Sequence, residues 1–188
     1  MKHPERIELA PGYSISRIIT GLWQVADIEK EDGSMDLGPA ASALVDYAES
    51  GFDTFDMADH YGSAELIAGH ARRKMQEHDS ANRPSSQARF HTKWCPKPGE
   101  MTPQKVREGV LLSAERLDME QIDLMQFHWW NYEHPQYLDA MEGLKALKEE
   151  GIIRHLGLTN FDTDHLHLLL QEGIPIISNQ VVVSLLDR

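Results

Sequence analysis

Cysteine is almost missing. Cys95 is the only one in 188 residues, which excludes an internal disulfide and a cysteine-rich zinc site and leaves either a plain thiol or one whose pKa Lys93, two residues before it, lowers. No stretch approaches the roughly 18 apolar residues of a membrane span, and the opening Met1-Lys2-His3-Pro4-Glu5-Arg6 lacks the apolar core of a signal peptide. The expectation is a cytoplasmic protein with no membrane partner. Positive charge is in deficit: 18 Lys and Arg stand against 30 Asp and Glu, and the net charge of -12 argues against a nucleic-acid backbone as partner. Internal repeats are absent too. What remains, 41% hydrophobic and 26% charged residues, suits one domain with a real core over residues 1–188.

The rest of the chain is organised around Gly51-Phe52-Asp53-Thr54-Phe55-Asp56-Met57-Ala58-Asp59-His60-Tyr61-Gly62, a short buried strand ending on a carboxylate and followed by a polar loop with a phenol. An unpaired buried carboxylate costs several kcal/mol, about the price of a whole core side chain, so Asp56 calls for a cation. Lys93 closes the apolar, β-rich run Phe90-His91-Thr92-Lys93-Trp94, and His128 closes Leu124-Met125-Gln126-Phe127-His128. As neighbouring parallel strands these runs would gather Asp56, Tyr61, Lys93 and His128 at one end of a sheet, where α/β folds keep their chemistry.

Taken in order, Ile7 to Arg17 reads as a hairpin turning at Pro11-Gly12, and Arg17 to Gln24 as the first core strand. A loop over Ala26 to Gly38 precedes a helix with Pro39 in its first turn and Ala41, Leu44, Val45 and Ala48 on one face. Ser63 caps a second helix carrying Ala64, Ile67 and Ala71, with Arg72, Arg73 and Lys74 at its C-terminal end. After a loop over His78 to Gln87 and the Lys93 strand, Thr102-Pro103 opens a helix with Val106, Val110, Ala114 and Leu117 in register. Strand Ile122 to His128, a helix opened by His134-Pro135 and ended by Gly151, strand Ile152 to Thr159, a helix over Asp162 to Gln171 and strand Ile174 to Val183 follow.

Strand starts spaced by about 20–35 residues are the mark of right-handed βα units. An open doubly wound sheet would announce itself by a glycine fingerprint after the first strand, and Trp23-Gln24-Val25-Ala26 has none. The fold class expected is therefore α/β, a (β/α)8 TIM barrel truncated after about the sixth strand, with an N-terminal β-hairpin.

The segment Asp56 to Gly62 resembles the aspartate–tyrosine segment of the aldo-keto reductases, Lys93 their strand-end lysine, and His128 in Gln126-Phe127-His128-Trp129 their active-site histidine. Gly157-Leu158-Thr159-Asn160-Phe161 is similar to the family's Gly-x-Ser-Asn-Phe, with Thr159 keeping the hydroxyl of the usual serine, and Asn179-Gln180-Val181 is similar to its Asn-Gln-x segment. The resemblance implies hydride transfer between a nicotinamide cofactor, NADP(H) with NAD not excluded, and a small carbonyl or alcohol substrate. It assigns Thr159, Asn160 and Gln180 to the carboxamide, with Asp56 counted among the cofactor-binding residues, and it implies no metal. The family's barrel is a fold of about 250 residues, and its nicotinamide-stacking aromatic and phosphate-gripping loop lie past the glutamine. The chain as it stands is expected to bind cofactor weakly. The Arg17–Gln24 and Ile174–Val183 strands, as open edges, are expected to promote self-association.

The chemistry has its own logic. Carbonyl reduction needs a proton donor, and a phenol of pKa about 10 needs help near neutrality. Tyr61 is the donor, the Lys93 ammonium lowers its pKa, Asp56 holds Lys93, and His128 steadies charge on the substrate oxygen. Other readings stay open. Asp56 and Lys93 can form a structural ion pair. Asp56, Asp59, His60 and His128 can serve a metal-dependent barrel hydrolase, although the first strand lacks that class's paired histidines. The chain can also be an inactive relative or a binding module. Trp94, Trp129 and Trp130 either wall a substrate pocket or pack at the rim, and Asp59, His60, His165 and His167 are expected to face solvent.

Overall fold

The structure, a computed structural model, describes residues 4–26, 36–79 and 88–186. The loops expected over Ala26 to Gly38 and His78 to Gln87 fall mostly outside the described residues, as do Asp187 and Arg188. The elements are β1 (Arg6–Ala10), β2 (Tyr13–Ser16), β3 (Thr20–Gly21), α1 (Leu37–Glu49), β4 (Thr54–Asp56), α2 (Ala64–Asp79), β5 (Arg89–Trp94), α3 (Pro103–Leu117), β6 (Ile122–His128), α4 (Tyr137–Glu149), β7 (Ile153–Thr159), α5 (Thr163–Gln171) and β8 (Ile176–Gln180). Strands β1 and β2 form an antiparallel hairpin, and the other strands run in the order β3-β4-β5-β6-β7-β8. Two compact units result, one of Met1–Thr92 with Leu112–Glu120, the other of Lys93–Leu111 with Gln121–Arg188.

In the first unit β3, β4 and β5 pair in parallel, Gly21 standing opposite Asp56 and Asp56 opposite His91. Phe55 stacks on Phe90 at 5.5 Å, on the side where α1 and α2 bring Ala41, Leu44, Ile67, Ala68 and Ala71 into the core. Successive side chains alternate across a strand, so Asp56 and His91 leave the opposite face. The hairpin reaches that face through the buried Tyr13, whose hydroxyl is 2.9 Å from His91 Nε2. Arg6 pairs with Asp53 at 2.6 Å, just before β4.

In the second unit β6 pairs in parallel with β7, and β7 with β8. Phe127 on β6 lies among Trp94, Trp129 and Phe161, with ring centroids 5.7–6.0 Å away. Helix α3 comes close to β5 at Gly109, where a Cβ would overlap the indole of Trp94. Helix α4 meets α3 at Gly143, where a Cβ would sit 3.0 Å from Val106.

Some elements differ from expectation. The first core strand shrinks from Arg17–Gln24 to Thr20–Gly21, because the Leu22 amide is the last to reach β4, donating to Asp56 O at 2.9 Å, and Val25 and Ala26 turn back onto Leu22 O. The last strand covers Ile176–Gln180 rather than Ile174–Val183; Pro175 has no amide to give a ladder, and Val181 to Val183 are exposed. Helix α2 continues to Asp79, so Arg72, Arg73 and Lys74 are not its C-terminal turn. They serve tertiary contacts instead: Arg72 and Arg73 pair with Asp118, and Lys74 donates to Ser42 Oγ at 2.9 Å. Helix α4 begins at Tyr137, after a turn in which Pro135 O accepts from Leu138 N at 3.0 Å.

Candidate functional site

Parallel β/α sheets hold their chemistry at the C-terminal ends of their strands. In the first unit β4 ends on Asp56, which is buried. Beyond it the chain makes a compact turn: Tyr61 N donates to Ala58 O at 3.1 Å, and Tyr61 O accepts from Ala64 N at 2.9 Å. Gly62 takes a φ of +48° to let α2 start. The half-buried Tyr61 ring stands edge-on to Trp23, centroids 4.6 Å apart at 85°, and next to His60 at 4.8 Å. Asp59 and His60 pair with each other at 3.0 Å; His60 is exposed as expected, whereas Asp59 is half-buried.

In the second unit Lys93 is buried on β5 and leaves the face opposite Trp94, just as His128 leaves the face opposite Phe127. His128 is in register with Thr159 on β7, and Thr159 is in register with Gln180 on β8. Three residues singled out on separate motifs thus stand side by side at three successive strand ends. Among the described residues the buried Thr159 hydroxyl has no hydrogen-bond partner, an arrangement that costs stability and suits a group able to receive a ligand. Asn160 takes a φ of +56°, its amide donates to Gln180 O at 2.8 Å, and its Oδ1 accepts from Val182 N at 3.3 Å. Its side chain therefore also ties the segment after β8. Asn179 holds the Phe161 backbone at both ends, accepting from its N–H at 3.3 Å and donating to its C=O at 2.8 Å.

Of the tryptophans, Trp94 and Trp129 are core packing, and Trp129 Nε1 donates to His134 O at 3.0 Å. Trp130 is 57% exposed and meets the His128 ring edge-on at 4.2 Å. His167 faces solvent, but His165 does not: it is half-buried, stacked on Tyr132 at 3.8 Å. Sequence reasoning passed over Glu65, an acid buried on the apolar face of α2, and Arg116, which pairs with it at 3.2 Å. An acid in register with Ala68 was the available signal.

A parallel sheet built from βα units places the chain in the α/β class. The Aldo/keto reductase family model matches residues 17–188, and the chain belongs to that family. It is 28% identical over 198 residues to the NADH-specific methylglyoxal reductase of Escherichia coli, covering 93% of this chain and 57% of that protein. It is 29% identical over 148 residues to the chloroplastic pyridoxal reductase of Arabidopsis thaliana, covering 74% of this chain and 40% of that protein. Among solved structures, a Bombyx mori aldo-keto reductase in complex with NADP superposes with a TM-score of 0.75 at 20% identity, covering 97% of this chain and 59% of that one. An aldo/keto reductase from Brucella melitensis gives 0.72 at 23%, covering 96% and 63%. The fold is accordingly that of the (β/α)8 barrel, of which β3 to β8 are present here behind the β1–β2 hairpin. The chain spans somewhat over half the length of the relatives it matches first. Among the described residues no helix is long and apolar enough to cross a membrane.

Proposed function

We propose that this protein reduces small carbonyl compounds, aldehydes foremost, with a nicotinamide dinucleotide, NADP(H) or NAD(H). The observation that supports this most is the row His128, Thr159 and Gln180 at the ends of β6, β7 and β8, with a buried, unpartnered hydroxyl at its centre, in a chain of the aldo/keto reductase family. Thr159, with Asn160 and Gln180 beside it, offers the hydroxyl and amides that a planar carboxamide would use, so these residues fit the cofactor's nicotinamide end. When bound, the cofactor supplies the hydride.

The chain's own residues handle the proton. By resemblance to the family, Tyr61 is assigned to donate it to the developing alkoxide, Lys93 to stabilise the phenolate left behind, Asp56 to orient Lys93, and His128 to donate to the substrate oxygen. Relatives named for methylglyoxal and pyridoxal point to small aldehydes as the first substrates to try. The test is cofactor oxidation followed by absorbance with methylglyoxal and pyridoxal, using NADPH and NADH in parallel. Substrate-dependent oxidation supports the reading; cofactor binding without turnover for any aldehyde would favour the binding-module reading instead.

A further inference from the structure

Glu65 is 1% exposed, and the proton transfer just described gives it no task. Both of its oxygens are engaged: Oε1 accepts the Thr92 hydroxyl at 2.6 Å, and Oε2 lies 3.2 Å from Arg116 Nη1. The same guanidinium nitrogen donates to the backbone carbonyl of Asp59 at 3.0 Å. A carboxylate stays out of water only where charge and hydrogen bonds replace its hydration. Here those partners come from β5 and the last turn of α3, and through Arg116 they reach the loop before α2.

That loop carries Tyr61. Its turn closes on itself through Ala58, Tyr61 and Ala64, and Arg116 grips it at Asp59, two residues before the phenol. The backbone from which Arg116 reaches is itself fixed. At Gly69 of α2 a Cβ would overlap the Arg116 carbonyl, so the two helices touch there backbone to backbone, and Arg72 and Arg73 of α2 pair with Asp118 just beyond.

We infer that Arg116 and Glu65 are positioning residues for Tyr61: the guanidinium, oriented by the buried Glu65 carboxylate, sets the Asp59 carbonyl and through it the placement of the Tyr61 ring against Trp23. The functional meaning of this rests on Tyr61 being the proton donor, but the ring's placement is measurable with no reaction at all.

The experiment is nuclear magnetic resonance of the 188-residue chain with ring-labelled tyrosine, its five tyrosines assigned by single Tyr→Phe exchanges. The Tyr61 ring protons carry a ring-current shift from Trp23. In Arg116→Met the Tyr61 signal alone should move toward that of a solvent-exposed tyrosine, with Tyr13, Tyr47, Tyr132 and Tyr137 unchanged, and Arg116→Lys should return it part of the way. Glu65→Gln, which keeps the shape and removes the charge, should shift it in the same direction by less, and it carries the test if Arg116→Met does not fold. In turnover, Arg116→Met should lower kcat by about a hundredfold at unchanged cofactor KM, the scale of a small misplacement of a reacting group. A Tyr61 signal unmoved in both variants, or all five signals moving together, overturns the inference. A Tyr61 signal that moves in a chain whose parent turns over no aldehyde upholds the positioning and overturns the reading of function.

Discussion

The imidazole of His165 lies flat on the phenol of Tyr132, with ring centroids 3.8 Å apart and planes 19° from parallel. His165 Nδ1 is 2.8 Å from both Asp162 oxygens. The His165 backbone N–H first, and then its ring, hold the Asp162 carboxyl below its ordinary pKa. Burial first, and then the Asp162 charge, push the Tyr132 phenol up to about 12. The folded state therefore favours the protonated phenol. Between the ordinary phenol value of about 10 and about 12 the unfolded chain has lost a proton that the folded chain keeps, so this contribution to stability is lost as pH rises through that window. An ultraviolet titration should show one tyrosinate forming near pH 12 in folded protein, and Asp162→Asn should bring it down. A Tyr132 that titrates at the ordinary value contradicts its burial beside the Asp162 charge.

Thr159→Val exchanges a buried, unpartnered hydroxyl for a methyl of the same shape. Nothing is lost from the folded protein's hydrogen bonding, so the melting temperature should hold or rise. Cofactor affinity should fall by about 2–10-fold, the worth of one neutral hydrogen bond of about 0.5–1.5 kcal/mol. Thermal melting and a cofactor titration read by tryptophan fluorescence separate the two effects. A clear drop in melting temperature would mean that the hydroxyl serves the fold.

Gly109→Ala puts a methyl into the indole of Trp94, which is itself buried beside Phe127. The helix gains propensity, yet the overlap should dominate and cost about 1–3 kcal/mol. Denaturant unfolding measures it. An alanine variant as stable as the parent would show that α3 can move away from β5 freely.

Buried residues made most of the fold legible from sequence. Strand β6 lies at the predicted Ile122–His128, and α3 buries the predicted Val106, Val110, Ala114 and Leu117. Strand limits were less legible where apolar residues stay exposed: Ile18, Ile19 and Val181 to Val183 look like strand but lie outside the paired segments. At the candidate site, the residues at strand ends were readable because a polar side chain closing an apolar run has little reason to be there for packing. Glu65 and Arg116 were not, since a pair 51 residues apart in sequence joins only after α2 and the end of α3 have folded. The stack of Tyr132 on His165 likewise joins the loop after β6 to α5 and leaves no local pattern.

Turnover of Tyr61→Phe tests most directly whether Tyr61 donates the proton in carbonyl reduction. Phenylalanine keeps the ring against Trp23 and removes only the hydroxyl, so fold and cofactor affinity should be those of the parent. With methylglyoxal and saturating NADPH, kcat should fall by at least about 10²-fold, the contribution of a positioned general acid, while the cofactor's Kd stays unchanged. A Tyr61→Phe variant that reduces methylglyoxal at the parent's rate would contradict the claim.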